Sequence, residues 1–113
     1  MGHGPSLRLE NRVPGGDVNP YLAVAGMIAA GLDGIDRNLH LGDPFYGNAY
    51  ESDSLHVPSS MNEALSLWES SAWIQETFGT EVQDHYANMA RVELASYGST
   101  VTDWERFRGF ERL

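Results

Sequence analysis

The stretch that decides the fold is RLENRVPGGDVNPYL, residues 8–22. Arg8, Glu10 and Arg12 occupy every second position at its start. The apolar residues that alternate with them are Leu7, Leu9 and Val13. This period of two predicts a β-strand over residues 7–13, with one charged face and one apolar face.

The second half of the same stretch predicts a turn and then a helix. Residues 14–16, Pro-Gly-Gly, end the alternation. Asn19 followed by Pro20 is typical of a helix N-cap and the first helical position, so we expect a helix from about residue 20 to residue 37. Its many Ala and Gly residues predict the close approach of another backbone.

Further along the chain, residues that commonly cap helices precede four more segments, and we expect each of these segments to be a helix. These segments run from about 61–70, 72–78, 81–97 and 103–110, preceded by Ser60 with Glu63, Ser71, Thr80 with Gln83, and Thr102 with Glu105. The segment between residues 36 and 59 is rich in Gly, Pro, Asn and Asp, and we expect it to be a loop. The predicted fold is therefore mainly α with one N-terminal β-strand.

Composition limits the kinds of protein that this sequence encodes. Its 113 residues suffice for one domain, 1–113. A net charge of -9 repels phosphate backbones and anionic lipids, which argues against nucleic acid and membrane partners. The absence of cysteine excludes disulfides and thiolate metal sites and is compatible with a cytoplasmic location. The apolar run between residues 21 and 32 is too short to span a bilayer.

The predicted strand raises a question about assembly. A single strand leaves its backbone N–H and C=O groups without partners and is not stable alone in water. The strand therefore predicts either pairing with a second copy, as in a homo-oligomer, or a place in a larger sheet.

Four segments together resemble one known family. They are RLENRVPGGDVNPYLAVAGMIAAGLDGI, GNAY, VPSSMNEAL and VTDWERFRGFERL. In this order they resemble the C-terminal part of the α+β catalytic domain of glutamine synthetase, and more specifically its γ-glutamyl-amine ligase branch. The most specific element is Arg-x-Glu-x-Arg, a Pro/Gly turn and Asn-Pro-Tyr-Leu at the start of an Ala/Gly-rich helix.

The resemblance implies a reaction and a role for three residues. In this family ATP phosphorylates the γ-carboxylate of glutamate, and ammonia or an amine displaces the phosphate, with two divalent cations, Mg²⁺ or Mn²⁺, organising the reaction. Glu10 resembles the metal-ligating glutamate and Arg8 the arginine near the nucleotide phosphates. Arg12 resembles the catalytic arginine that faces the substrate carboxylate and the transferred phosphoryl group. From the residues alone, Arg8, Glu10 and Arg12 also fit a solvent-exposed face with weak ion pairs.

The resemblance also limits what this chain can do alone. The family's nucleotide-binding loops, its other metal ligands and its ammonia-site acids lie upstream of the matching region. We therefore expect a fragment of a nitrogen-metabolism ligase that is inactive by itself and binds no cofactor tightly. The alternative is an independently expressed helical module, derived from the family, that serves interaction or regulation.

Overall fold

The computed structural model describes residues 4–53 and 55–112, and over these residues it contains α-helices, short 3₁₀ turns and no β-strand. The helices are α1 (Pro20–Asp36), α2 (Met61–Ser70), α3 (Ala72–Phe78), α4 (Thr80–Gly98) and α5 (Asp103–Phe110). Single 3₁₀ turns lie at Gly4–Ser6 and Ala49–Glu51. None of the helices in this part of the chain is both long and apolar enough to cross a membrane.

The β-strand predicted over residues 7–13 is wrong. The structure has no regular secondary structure there, and the apolar side chains of the segment, Leu7, Leu9 and Val13, are exposed. A strand needs a second strand to accept and donate its backbone hydrogen bonds. Residues 4–53 and 55–112 contain no such second strand. Alternating charged and apolar residues are typical of a strand, but they do not provide the partner strand that its backbone hydrogen bonds require.

The chain divides into two units, Met1–Val57 and Pro58–Leu113. In the first unit, α1 begins as the sequence predicts. The side-chain oxygen of Asn19 accepts hydrogen bonds from the backbone N–H groups of Tyr21 at 3.0 Å and Leu22 at 3.2 Å. Pro20, which has no N–H to satisfy, occupies the first helical position. No residue of α1 is buried.

In the second unit, α4 packs against both α2 and α3. The contact centres on two residues that exchange hydrogen bonds between α2 and α4. The indole Nε1 of Trp68 donates to the backbone oxygen of Gln83 at 2.9 Å, and the side-chain amide of Gln83 donates to the backbone oxygen of Trp68 at 2.8 Å. The ring of Trp68 also lies 6.0 Å from that of Tyr86 and 6.4 Å from that of Phe78, between ring centres.

Gln83 also corrects the predicted start of α4. The capping box of Thr80 with Gln83 is wrong, because Gly79 occupies the N-cap position and provides no side-chain cap. The side-chain amide of Gln83 instead reaches back to the end of α2, where it also lies within 3.3 Å of the Glu69 oxygen and 3.2 Å of the Ser71 oxygen. Gln83 is 7% exposed, and its amide is a second donor to the oxygens of Trp68 and Ser71, which also accept from the backbone N–H groups of Ser71 and Gln75.

Other predicted caps are present in the second unit. Thr102 and Glu105 form a complete capping box at the start of α5. Ser60 caps α2, where its hydroxyl accepts from the backbone N–H of Glu63 at 3.2 Å. The carboxylate of Glu63 accepts from Ser59 rather than from the N–H of Ser60, so this second box is only half formed. Ser71 ends α2 and caps α3.

Candidate functional site

The predicted site residues lie in the first unit, on the irregular segment before α1. The guanidinium of Arg12 donates from Nε to Oε1 of Glu10 at 2.7 Å, which forms an ion pair between the two residues. Arg8 lies two residues before Glu10 and donates from Nη1 to the backbone oxygen of Ser6 at 3.5 Å. The spacing of two thus brings Glu10 and Arg12 together, and Arg8 makes a separate contact.

The turn after this segment is set by local hydrogen bonds. The side-chain oxygen of Asn11 accepts from the N–H of Val13 at 3.0 Å, and the N–H of Val18 donates to the oxygen of Gly15 at 3.3 Å. Asn19 then caps α1. The segment is thereby anchored to the start of a helix through a short series of local turns.

The charges of this segment suit the binding of a phosphate group together with a divalent cation. Two guanidinium groups and one carboxylate give it a net positive charge in a chain whose formal charge is -9. The side chains of Arg12 and Glu10 are 84% and 54% exposed. An exposed ion pair contributes under about 1 kcal/mol, so either partner can exchange it for a phosphate oxygen or a cation. Arginine presents paired N–H donors that match carboxylate and phosphate oxygens.

Glu10 is a suitable type of ligand for a divalent cation, but one carboxylate is too few to hold the ion. Mg²⁺ and Mn²⁺ bind carboxylate oxygen, and Mg²⁺ requires about six oxygen ligands in near-octahedral geometry. Within residues 4–53 and 55–112 there is no group of three or more His, Asp or Glu side chains placed to hold a metal ion. Glu10 can therefore supply one ligand, and other parts of a larger protein or water would have to supply the rest.

A groove in the second unit is formed by two helices. It lies between the start of α2 and the end of α4 and has a volume of about 330 Å³. The lining residues are Ser60, Met61, Asn62, Glu93, Leu94 and Tyr97. This lining is largely apolar and holds one carboxylate, so it does not resemble a phosphate or metal site.

Comparison with known proteins decides the family. The family model described as glutamine synthetase, catalytic domain, matches residues 1–108. The chain belongs to the glutamine synthetase family. This confirms the resemblance that the sequence suggested, and it identifies the helical structure as part of a glutamine synthetase catalytic domain.

Individual relatives refine the position within the glutamine synthetase family. The chain is 59% identical, over its full length, to gamma-glutamylethanolamide synthetase GlnA4 of Streptomyces coelicolor, and covers 24% of that protein. It is 40% identical over 93% of its length to a glutamate–isopropylamine ligase of Pseudomonas sp, again covering 24% of the relative. A glutamine synthetase of Halobacterium salinarum is 37% identical over 97% of the chain, which covers 26% of that enzyme. The first two of these relatives support the γ-glutamyl-amine ligase branch.

The chain therefore spans about a quarter of the length of these curated relatives. The roles assigned to Arg8, Glu10 and Arg12 stay predictions, since they depend on groups that lie elsewhere in such proteins. Sequence reasoning missed Gln83 as a residue that joins helices. Its only sequence signal is a polar residue flanked by Val82 and Tyr86 on an otherwise core-facing stripe.

Proposed function

We propose that this chain is part of an ATP-dependent ligase that joins glutamate to ammonia or an amine through γ-glutamyl phosphate. One observation carries the proposal. The exposed Arg8, Glu10 and Arg12 segment lies in a chain that is 59% identical along its whole length to a gamma-glutamylethanolamide synthetase. Glutamate is the acyl donor in this proposal, and the choice between ammonia and an amine is made outside the chain.

Each site residue has a role that follows from its chemistry. Glu10 supplies one oxygen ligand to Mg²⁺ or Mn²⁺, and the bound ions would neutralise phosphoryl charge. Arg12 binds the substrate carboxylate and the transferred phosphoryl group with its paired donors, and Arg8 binds the nucleotide phosphates. The weak ion pair between Glu10 and Arg12 holds both groups near the reacting centre until the ligands replace it.

The test is a chimaeric enzyme. This chain replaces the matching quarter of the Streptomyces coelicolor relative, and ATP-dependent amide formation from glutamate is measured with ammonia and with a series of amines. We expect an active chimaera in which Glu10→Ala reduces kcat about 100-fold or more, because a metal ligand is lost. Arg12→Lys should reduce kcat by at least about tenfold, since a lysine lacks the paired donors.

Two matched variants control for general damage. Glu76→Ala on α3 and Arg37→Lys just after α1 make the same chemical changes at exposed positions outside the segment. Both should leave kcat within about twofold of the unsubstituted chimaera. An active chimaera that keeps full activity with Glu10→Ala would contradict the assigned metal ligand, and activity on a different acid in place of glutamate would contradict the acyl donor.

The chain by itself should be inactive. With Glu10 as a single carboxylate ligand, it should show no saturable micromolar binding of Mg²⁺ or Mn²⁺ by calorimetry. Such binding, or ATP-dependent amide synthesis by the chain alone, would contradict this part of the proposal. We further propose a cytoplasmic homo-oligomer. Its acidic charge argues against nucleic acid and membrane partners.

A further inference from the structure

Asn11 interrupts the alternation of charged and apolar residues before α1. The other odd-numbered residues of 7–13 are all apolar, whereas Asn11 carries an amide. Its side-chain oxygen accepts a hydrogen bond from the backbone N–H of Val13 at 3.0 Å. The amide lies between Glu10 and Arg12 in sequence, and the metal and phosphate contacts proposed above do not account for it.

The hydrogen bond from Val13 to Asn11 encloses the backbone of Arg12. The ring that it closes contains the peptide groups on both sides of Arg12, so it restricts the two backbone dihedrals of that residue. The direction in which the arginine side chain leaves the backbone is restricted with them. Pro14 follows directly, and a residue before proline is largely confined to extended conformations. The backbone is therefore constrained at Arg12 and again at Val13.

A separate contact holds the side chain of Arg12. Its Nε donates to Oε1 of Glu10 at 2.7 Å. Asn11 thus acts on the backbone of Arg12, and Glu10 acts on the guanidinium. Both contacts join residues two positions apart, so they are made within this chain whatever other part of a larger protein contacts the segment. Arg8 is outside this arrangement, since its Nη1 donates to the backbone oxygen of Ser6.

The chemistry of arginine makes the direction of Arg12 important. A guanidinium is planar, and its paired N–H donors match the two oxygens of a carboxylate or phosphoryl group only in a limited range of orientations. Misplacement of a binding group by about 1 Å can reduce a reaction rate by about 100-fold. A hydrogen bond that fixes the backbone of such a residue therefore affects the reaction without contacting the substrate.

We propose that Asn11 is a positioning residue that sets the direction of Arg12. This inference rests on the proposed function, in which Arg12 binds the substrate carboxylate and the transferred phosphoryl group. The amide of Asn11 acts through the backbone and touches neither group. Its loss should therefore weaken the use of glutamate and leave the KM for ATP unchanged, because Arg8 makes a separate contact.

The first test compares two substitutions of nearly equal size at residue 11 of the chimaeric enzyme. Asn11→Asp keeps an oxygen that accepts from Val13, whereas Asn11→Leu removes that oxygen and completes the apolar alternation. We expect Asn11→Leu to lower kcat/KM for glutamate by about five- to tenfold. Asn11→Asp should stay within about threefold of the unsubstituted chimaera. A residue that only filled an apolar surface would give the opposite order.

A double-mutant cycle shows whether Asn11 acts through Arg12. In the Arg12→Lys chimaera the paired donors are already lost, so the addition of Asn11→Leu should lower kcat/KM by less than about twofold. Equal effects of Asn11→Leu in the two backgrounds would contradict the positioning role, because they would show damage that does not depend on the guanidinium.

The second test measures the turn without any enzymatic reaction. In NMR spectra of the isotope-labelled chain, the amide proton shift of Val13 should change more steeply with temperature in Asn11→Leu than in the unsubstituted chain. Asn11→Asp should resemble the unsubstituted chain, since it keeps the acceptor. The amide of Val18 is the internal control, because it donates to the backbone oxygen of Gly15 at 3.3 Å and should respond alike in all three proteins.

Two results would overturn the positioning role alone. One is a Val13 amide that responds identically in Asn11→Leu and in the unsubstituted chain. The other is a chimaera in which Arg12→Lys lowers activity and Asn11→Leu does not. If Arg12→Lys keeps full activity, the role assigned to Arg12 fails and the positioning role fails with it, whatever the NMR measurement shows.

Discussion

Residues 19–37 and residues 58–98 both form regular helices, of which α1, α2 and α3 begin at side-chain caps, but the two regions differ in what the helices contact. In residues 58–98, Gln83 and Ala87 are buried, and α4 packs on α2 and α3. In residues 19–37 no side chain is buried, and large apolar side chains of α1, among them Tyr21, Ile28 and Leu32, are exposed. The same local chemistry of capping thus produces one packed region and one unpacked region.

The difference shows that caps set where a helix begins, whereas buried contacts set how strongly it is held. Asn19 and Ser60 perform the same task at α1 and α2. Only the second region adds a link between helices, through Trp68 and Gln83. The predicted site residues precede the unpacked region, which fits a segment that requires the rest of a larger enzyme. The following predictions test this contrast, from the largest expected effect to the smallest.

Removal of the Gln83 side chain should have the largest effect. Gln83→Ala leaves the backbone oxygens at the end of α2 without their amide donor, and we expect a loss of about 2–3 kcal/mol in the free energy of unfolding. Urea denaturation followed by circular dichroism measures it. Gln75→Ala removes one exposed hydrogen bond to Thr80 and should cost under about 1 kcal/mol. Equal losses in the two variants would show that the link is not specific.

Overpacking at Ala87 should be the next largest effect. Ala87 is 1% exposed, so Ala87→Leu forces extra methyl and methylene groups between packed helices and should destabilise the second unit by about 1–2 kcal/mol. Ala95→Leu makes the same change at an exposed position of α4 and should be nearly neutral. Thermal melts of both variants check the contrast. An unchanged melting temperature in Ala87→Leu would mean that the helices are packed loosely there.

Loss of the Asn19 cap should affect only the unpacked region. Asn19→Ala removes the oxygen that accepts from Tyr21 and Leu22, at a cost of about 1 kcal/mol. Because α1 has no buried residue to compensate, we expect its first turns to fray. Residue-specific hydrogen exchange should show faster exchange in α1 and unchanged protection in α2 and α4. Faster exchange throughout would contradict the independence of the two regions.

The smallest effect concerns the cap of α5. The backbone N–H and hydroxyl of Thr102 donate to Glu105 at 2.8 and 2.9 Å, and these bonds hold the pKa of Glu105 below its usual range. Because this pKa is lower in the folded state, the contribution to α5 is complete above the unfolded pKa of glutamate and disappears as pH falls through the folded pKa. The neutral amide of Asn19 keeps its capping role at acid pH.

An NMR titration checks this prediction through the side-chain carboxyl carbon of Glu105. In Thr102→Val the hydroxyl is lost while the backbone N–H remains, so the midpoint should move upwards by part of the original shift. A midpoint that is the same in both proteins would show that the hydroxyl contributes nothing.

The sequence predicts local features of this fold better than distant ones. Asn19, Ser71 and Thr102 cap helices where their patterns indicate, because a cap depends on residues only two or three positions away. The strand over residues 7–13 could not be judged in the same way, since a ladder requires a partner strand. Gln83 was misassigned because its true acceptors lie 12 to 15 residues earlier and meet it only after the chain reverses.

The candidate site shows the same limit. The spacing of Glu10 and Arg12 predicts that they can share one side of the segment, and they form an ion pair. A divalent cation needs further oxygen ligands, and no set of three candidate ligands lies together in the residues that the structure describes. The other oxygen ligands of a metal ion would come from residues distant in sequence, and a pattern of alternate residues does not identify them.

Gly79, between α3 and α4, limits which residues the turn between these helices can tolerate. Its backbone has φ 84° and ψ 156°, a combination that residues with a side chain rarely adopt. The space around it is open, so conformation alone and not crowding restricts the residue. A side chain at this position would have to accept the strained backbone, at a cost of about 1–3 kcal/mol, or shift the backbone at the start of α4. The turn that joins α3 to α4 therefore depends on a position that carries no side chain.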